Sequence, residues 1–363
     1  MNNPFEQNVY KQRTIEREED VRGPFFRDQT AIIHSLPFRR LKHKTQVFFS
    51  PENDHVCTRI EHVMHVATIA ATICKGLNKS GWQLDGEMAF AIGLAHDLGH
   101  APFGHAGETA LNAVLKESDF FHEVNSYRVV EYLAALNLTY GVKDGVICHN
   151  GEKFEKYLEP RGTINNLDII NDRNCTPSSF EGCIVRFSDK IAYLGRDIED
   201  AVSAGLIKHS DIPPPIRKEL GRDNGEIINN LVIDIINSSK NNNKIELSDD
   251  KFELLVQLKT FNYEKIYNHK KILNYHEHSK KVVKILFDYL MDKYIKCGND
   301  FSAYSNSPME LDHWFGEFLS KMSKLYEIEK TTPERIVVDY ISGMTDPHAL
   351  RCVKNIIIPK PII

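Results

Sequence analysis

Met88-Ala89-Phe90-Ala91-Ile92-Gly93-Leu94-Ala95-His96-Asp97-Leu98-Gly99-His100 is an almost wholly apolar run that ends abruptly in His-Asp. Asp85 reads as its N-cap and Gly99 as its C-terminal stop, which predicts a buried helix of about ten to fourteen residues. A carboxylate delivered at the end of such a helix is costly to leave unpaired, and a divalent cation against it removes that cost. A single His-Asp pair at a helix end is more often a mutual pairing. The weight therefore rests on the residues around it.

The 363 residues suffice for one large domain or two smaller ones with a sizeable core. No apolar run is long enough to span a bilayer, and residues 1–20 are polar and charged with no secretory apolar region. A cytoplasmic location without a membrane partner is expected. Seven scattered cysteines with no Cys-x-x-Cys pair argue against a disulfide framework or a thiolate zinc site. A balance of 45 basic to 50 acidic residues, net charge −5, argues against a generally DNA-coating surface. Many of the 16 histidines fall between His34 and His149, which points to imidazole chemistry in the N-terminal half.

Upstream of the opening run, residues 28–44 read as a helix with Ile32, Ile33, Leu36 and Leu41 as its buried stripe and Pro37 as a kink or break. Its end, Arg39, Arg40, Lys42, His43 and Lys44, is the densest cationic stretch. Such runs are usually solvated faces, but this one leads into residues 45–49, read as a short strand or turn. Residues 56–78 form a second predicted helix, with Arg59, His62, Val63 and Val66 on one face. A lone histidine there is more often a satisfied core residue. The company of Arg59 favours His62 over His65.

Downstream, His105 and Glu108 stand three residues apart, so on a helix the carboxylate can orient and polarise the imidazole, or the pair is an ordinary cap. His122-Glu123 repeats the pairing ahead of a helix over 125–136. Residues 150–175 read as irregular connections, and His149 as part of either a turn at the site edge or a structural turn, with no assigned role. Ser178 and Glu181, at capping-box spacing, mark the start of a helix that carries Asp189, Tyr193 and Asp197 as one polar stripe about three turns long. That stripe suits a ligand with phosphate at one end and sugar at the other. Beyond residue 204, residues 212–215 read as a turn or linker, and helices are expected over 227–236, 252–267, 282–294 and 309–326. Strand signals are few and no repeat is visible, so the expected class is all-α.

His62, His96-Asp97 and Asp189 together make a mixed nitrogen and oxygen set from three helices, suited to a divalent ion with positions left for water and substrate. Their order and contexts resemble the HD-domain metallohydrolases, specifically the deoxynucleoside triphosphate triphosphohydrolases, or dGTPase-like proteins. The blocks Phe38-Arg39-Arg40-Leu41-Lys42-His43-Lys44-Thr45-Gln46-Val47, Thr58-Arg59-Ile60-Glu61-His62, His96-Asp97-Leu98-Gly99-His100-Ala101-Pro102-Phe103-Gly104-His105 and Tyr340-Ile341-Ser342-Gly343-Met344-Thr345-Asp346 carry the likeness. It spans nearly the whole chain and is weakest over 205–247.

The resemblance implies an HD-domain core over 1–204, and a helical region over 205–363 that packs on it and contributes to oligomerisation. It implies attack of water on the α-phosphorus of a dNTP, releasing deoxynucleoside and intact triphosphate. His62, His96, Asp97 and Asp189 would hold the metal, Mn²⁺ or Mg²⁺ foremost, with Fe²⁺, Ni²⁺, Zn²⁺ or Co²⁺ as further choices. Arg59 and His100 would contact the α-phosphate, and His105, with Glu108, His122 and Glu123, would transfer the proton. Lys190 would bind phosphate, Tyr193 and Asp197 the 3′-hydroxyl side of the sugar, and Gln46 and Val47 the sugar and base neighbourhood. Many relatives carry an acidic residue where Lys190 stands, and Ile60, Glu61 and Pro347 also depart from commoner choices. The family implies a homo-oligomer with a dNTP or single-stranded DNA effector. Two other readings are an HD phosphohydrolase for another nucleotide and a non-catalytic nucleotide or nucleic-acid sensor. The intact ligand set argues against the sensor.

Overall fold

Asp85 caps the central helix as expected, its carboxylate accepting from the amides of Glu87 and Met88, and the helix runs Gly86–Ala95. It stops short of its apolar run because His96 is already the C-cap and residues 96–99 turn the chain. Every residue of it from Met88 on is buried except the half-buried Phe90, so its all-round apolarity reflects burial on nearly all sides. A Cβ on Gly93 would lie 2.6 Å from Ala67 Cα. The central helix and the Arg59–Asn78 helix therefore touch backbone to backbone, which brings His62 and His96 within 5.3 Å, ring to ring.

The computed structural model describes residues 1–48, 56–115, 119–150, 153–171 and 173–358. Among them are seventeen α-helices, and their one sheet is the two-residue antiparallel pair Tyr157–Leu158 with Ile245–Glu246. The fold is all-α. Expected elements touching Phe49, Gly151 and Glu152 lie partly outside the described residues. No helix among the described residues is long and apolar enough to cross a membrane.

Several local expectations are corrected. The 28–44 helix is two, Gly23–His34 and Leu36–Arg40, because Ser35 leaves the helical region and caps the second through the Phe38 amide. Pro37 sits in that second helix's first turn, where its missing N–H costs nothing. The break rotates the stripe: Ile32 and Leu41 are buried, whereas Ile33 and Leu36 are 43% and 49% exposed. The Phe180–Ser203 helix is capped by Ser179, whose hydroxyl accepts from the Gly182 amide. Ser178 instead donates to Asp144, and Glu181 is buried against Asn3 and the Asp85 amide, so no capping box forms there. A capping box does open the Arg59–Asn78 helix, between Thr58 and Glu61.

The helix expected at 125 begins at His122 and ends at Arg128, continuing as a π-turn over Val129–Leu133. The 212–215 segment is no linker. It leads into the Pro214–Glu219 helix and buries Ile212, Ile216 and Leu220. Lys270–Cys297 is twice the expected length, at 28 residues. One apolar cluster runs from Tyr10 to Ile272, and a second joins Ala101, Phe103, Leu111 and Phe120 to Val283, Leu286, Phe315 and Val337. The apolar core therefore does not divide at residue 204.

Candidate active site

Four helices and one turn aim their polar residues at one place. The Arg59–Asn78 helix supplies Arg59 and His62 from its first turn, and the end of the central helix supplies His96 and Asp97. The Gly104–Val114, His122–Arg128 and Phe180–Ser203 helices supply His105 with Glu108, His122 with Glu123, and Asp189. They enclose a cavity of about 490 Å³, within the range of small-ligand sites. Of the residues expected in the site, Gln46, Val47, Arg59, His62, Asp97, His100, His105, Glu108, His122, Asp189, Tyr193 and Asp197 line it.

His62 Nε2 lies 3.0 Å from Asp189 Oδ1, and His96 Nε2 lies 3.8 Å from the same oxygen and from Asp97 Oδ1. His62, His96 and Asp189 present ligand atoms within 4.8 Å of one another, as do Asp97, His100 and His122. His96 Nδ1 is committed to the Gly93 carbonyl at 2.8 Å, so its lone pair is on Nε2. That Nε2 is buried without a hydrogen-bond partner. A buried acceptor facing two carboxylates and lacking a donor fits a cation. The hard carboxylates and borderline imidazoles suit a first-row divalent ion or Mg²⁺.

Burial opposes ionisation of Asp97, but Arg59, paired with its Oδ2, and the neighbouring imidazoles hold its carboxyl well below the usual range. Asp189 is likewise held low, against its burial, by His62 and His96. His96 and His100 are pushed down by burial, His100 further by Arg59, so both stay neutral at neutral pH.

Beside this group stands a carboxylate-imidazole chain. Glu108 accepts from His122 Nδ1 at 3.2 Å, from the His122 amide at 3.0 Å and from His105 Nδ1 at 3.3 Å. Burial works against a charged His122, but Glu123 and Glu108 raise it to about 10. His122 also stacks on His100, ring centroids 4.6 Å apart. His105 is the exposed end of the chain, its side chain 56% accessible at the cavity.

Three expected residues do not line the cavity: His96 is buried against Asp97 and Asp189, and two others stand further off. Lys190 Nζ is buried on Glu155 at 2.9 Å and over the Phe154 and Phe187 rings, outside the cavity lining. One step past Asp189 on a helix turns a side chain by about 100°, which takes Lys190 off the phosphate side. Glu123 lies behind His122, 3.6 Å from its Nδ1, and does not line the cavity.

Other residues enter the site: no pattern in the sequence marks Arg173 or Tyr267, and His149 is legible there only as either a site-edge turn or a structural one. Arg173 Nη2 donates to Glu108 at 2.7 Å and its Nε lies 3.3 Å from Glu123, so a cation from the irregular segment joins the wall. Tyr267 donates to Asp197 Oδ2 at 2.5 Å, and burial pushes Asp197 up to about 7. His149 is fully buried, with Nδ1 on the Val146 carbonyl and Nε2 3.3 Å from His122 Nε2. Its adjacency to the site had no periodic signal because it follows a helix end.

Family models for the HD domain and for the phosphohydrolase-associated domain match residues 59–194 and 245–355. A deoxyguanosinetriphosphate triphosphohydrolase-like protein of Caldanaerobacter subterraneus subsp. tengcongensis is 38% identical, the match covering 99% of this chain and 93% of that protein. Proteins of the same description from Desulfatibacillum aliphaticivorans and Clostridium tetani are each 34% identical, over 94% and 96% of this chain and 90% and 89% of theirs.

Proposed function

This chain belongs to the deoxyguanosinetriphosphate triphosphohydrolase-like family of HD-domain phosphohydrolases, and we propose that it hydrolyses a deoxynucleoside triphosphate to deoxynucleoside and inorganic triphosphate. The observation that carries this reading is the meeting of three features at one cavity: the His62, Asp97 and Asp189 lining with His96 buried against the two carboxylates, the Glu108 relay, and the Tyr193, Asp197 and Tyr267 end.

A divalent ion held by the first set would polarise a phosphoryl oxygen and lower the pKa of an attacking water. Arg59, anchored by Asp97, keeps a positive charge beside that set, and neutral His100 offers a single N–H to a phosphoryl oxygen. Glu108 fixes His105 through Nδ1, so its Nε2 is the atom that moves a proton to or from the reacting oxygens. Cationic His122 balances Glu108 and keeps that carboxylate an acceptor. At the other end Asp197, held by the Tyr267 hydroxyl, offers its second carboxylate oxygen as an acceptor for a sugar hydroxyl, and Gln46 Oε1, buried without a partner, is free to accept from the ligand.

The test is to incubate the protein with each dNTP and rNTP in Mn²⁺ or Mg²⁺ and resolve products by anion exchange. Mixtures of dNTPs and added single-stranded DNA serve as separate effector arms, with oligomer size followed by light scattering. Intact triphosphate and deoxynucleoside, lost in Asp97→Ala, support the reading. Pyrophosphate or monophosphate would move it to an HD phosphohydrolase of different specificity.

A further inference from the structure

Away from the cavity, two cysteines share one arginine. Arg161 Nη1 lies 3.5 Å from Cys148 Sγ and 3.6 Å from Cys175 Sγ, so one guanidinium nitrogen bridges the two thiols beside a small separate apolar cluster. Arg161 is itself held by Asp144 and the Tyr140 hydroxyl. A second buried arginine, Arg186, reaches the carbonyls of the same two residues, at 3.4 Å from Cys148 and 3.3 Å from Cys175. The two segments are thus clamped side by side, with both sulfurs against one guanidinium nitrogen. Cys148 is buried, whereas Cys175 is only half-buried.

We propose that Cys175 and Cys148 form a peroxide-sensitive thiol pair, Cys175 being the attacked sulfur and Cys148 the resolving one. The Cys175 thiolate attacks one oxygen of hydrogen peroxide, giving a Cys175 sulfenic acid and hydroxide. The Cys148 thiol then displaces the hydroxyl as water and closes a disulfide, so each sulfur gives up one electron overall and the peroxide is reduced by two.

The setting suits this chemistry. The thiol hydrogen bond from Cys148 lowers Cys175 to about 7, with Arg161 adding to it against partial burial. About half of Cys175 is then thiolate at neutral pH, against about 3% for an ordinary thiol. Its lower intrinsic nucleophilicity takes back about five-fold, leaving a rate advantage of about three-fold.

The pair also has a route to the cavity. Cys148 is followed by His149, which faces His122, and Cys175 lies two residues after Arg173, which holds Glu108. Asn150 further ties the segments through the Arg173 carbonyl, at 2.9 Å. A bond between the sulfurs draws on the backbone that places both groups. This last link rests on the proposed hydrolysis, whereas the thiol chemistry does not.

The experiment uses the full-length protein. Thiol labelling at neutral pH, read by peptide mass spectrometry, should modify Cys175 about three times faster than Cys297, the other half-buried cysteine. Peroxide should yield a Cys148–Cys175 cross-linked peptide pair, lighter by two hydrogens and restored by dithiothreitol. Cys148→Ser should leave Cys175 as a dimedone-reactive sulfenic acid. Hydrolysis should fall on oxidation and recover with dithiothreitol in the natural protein, and stay insensitive in Cys148→Ser. Equal labelling of the two half-buried thiols, or peroxide modification at other cysteines first, overturns the proposal. A disulfide that forms while hydrolysis is unchanged overturns the link to the cavity alone, and the labelling result stands even if no hydrolysis is found.

Discussion

Arg59 and Asp97 are 38 residues apart in the chain and form a buried ion pair, with 2% and 4% of their side chains exposed. Arg59 takes one oxygen of the carboxylate, and the other faces His96 Nε2 at 3.8 Å. Both residues line the cavity.

Removing Arg59 leaves a buried carboxylate unbalanced, so Arg59→Ala should lose about 3–5 kcal/mol of folding stability. A divalent ion supplies the missing charge, so Mn²⁺ should stabilise this variant more than the natural protein. Urea unfolding with and without Mn²⁺ measures both. A loss below about 1 kcal/mol would show that the pair is not desolvated as described.

His105 ends the relay at an exposed position. His105→Ala should therefore change stability by no more than about 0.5 kcal/mol while lowering kcat by about 10²–10⁴. Glu108→Ala, which strips partners from His105, His122 and Arg173 together, should lower both stability and kcat. Turnover and melting temperature for the two variants separate the roles.

Tyr267→Phe removes the donor to Asp197 and leaves the shape unchanged. A typical hydrogen bond contributes about 0.5–1.5 kcal/mol, so losing the one that holds Asp197 in place should raise KM for the dNTP by up to roughly ten-fold with kcat little altered. An unchanged KM would place the sugar elsewhere in the cavity.

Glu181 gives a pH dependence remote from the chemistry. Burial raises it from 4.5 to about 7, so the folded state holds its proton more tightly than the unfolded chain. Its contribution is fully present below about pH 4.5 and is lost as pH rises through 7, a swing of roughly 3 kcal/mol at most. Glu181→Gln keeps one acceptor for Asn3 and the Asp85 amide and cannot ionise. The stability advantage of the natural protein over this variant should shrink between pH 5 and pH 8, as urea unfolding at the two values will report. A constant difference would mean that Glu181 does not titrate there.

The all-α class and the residues of the central site were legible because they rest on local rules. Helical spacing put Arg59 with His62, and Asp189 with Tyr193 and Asp197, on common faces. An all-apolar run ending in His-Asp announced a buried helix with a polar end. The resemblance supplied the roles, since spacing alone left His62 and His65 as rivals. Lys190 was misplaced for a local reason as well: being adjacent to a site residue on a helix turns a side chain away from the site.

The sequence by itself determined the helical periodicities and which faces carry the candidate ligands, because both follow from 3.6 residues per turn and from which side chains water rejects. Only the tertiary structure decided the rest. Gly93 against Ala67 sets how closely two faces approach, and that distance is fixed by backbone contact across helices far apart in the chain. Arg173, His149, Tyr267 and the Cys148–Cys175 pair come from turns, helix ends and irregular segments. Their side chains meet partners chosen by packing, which no local pattern encodes.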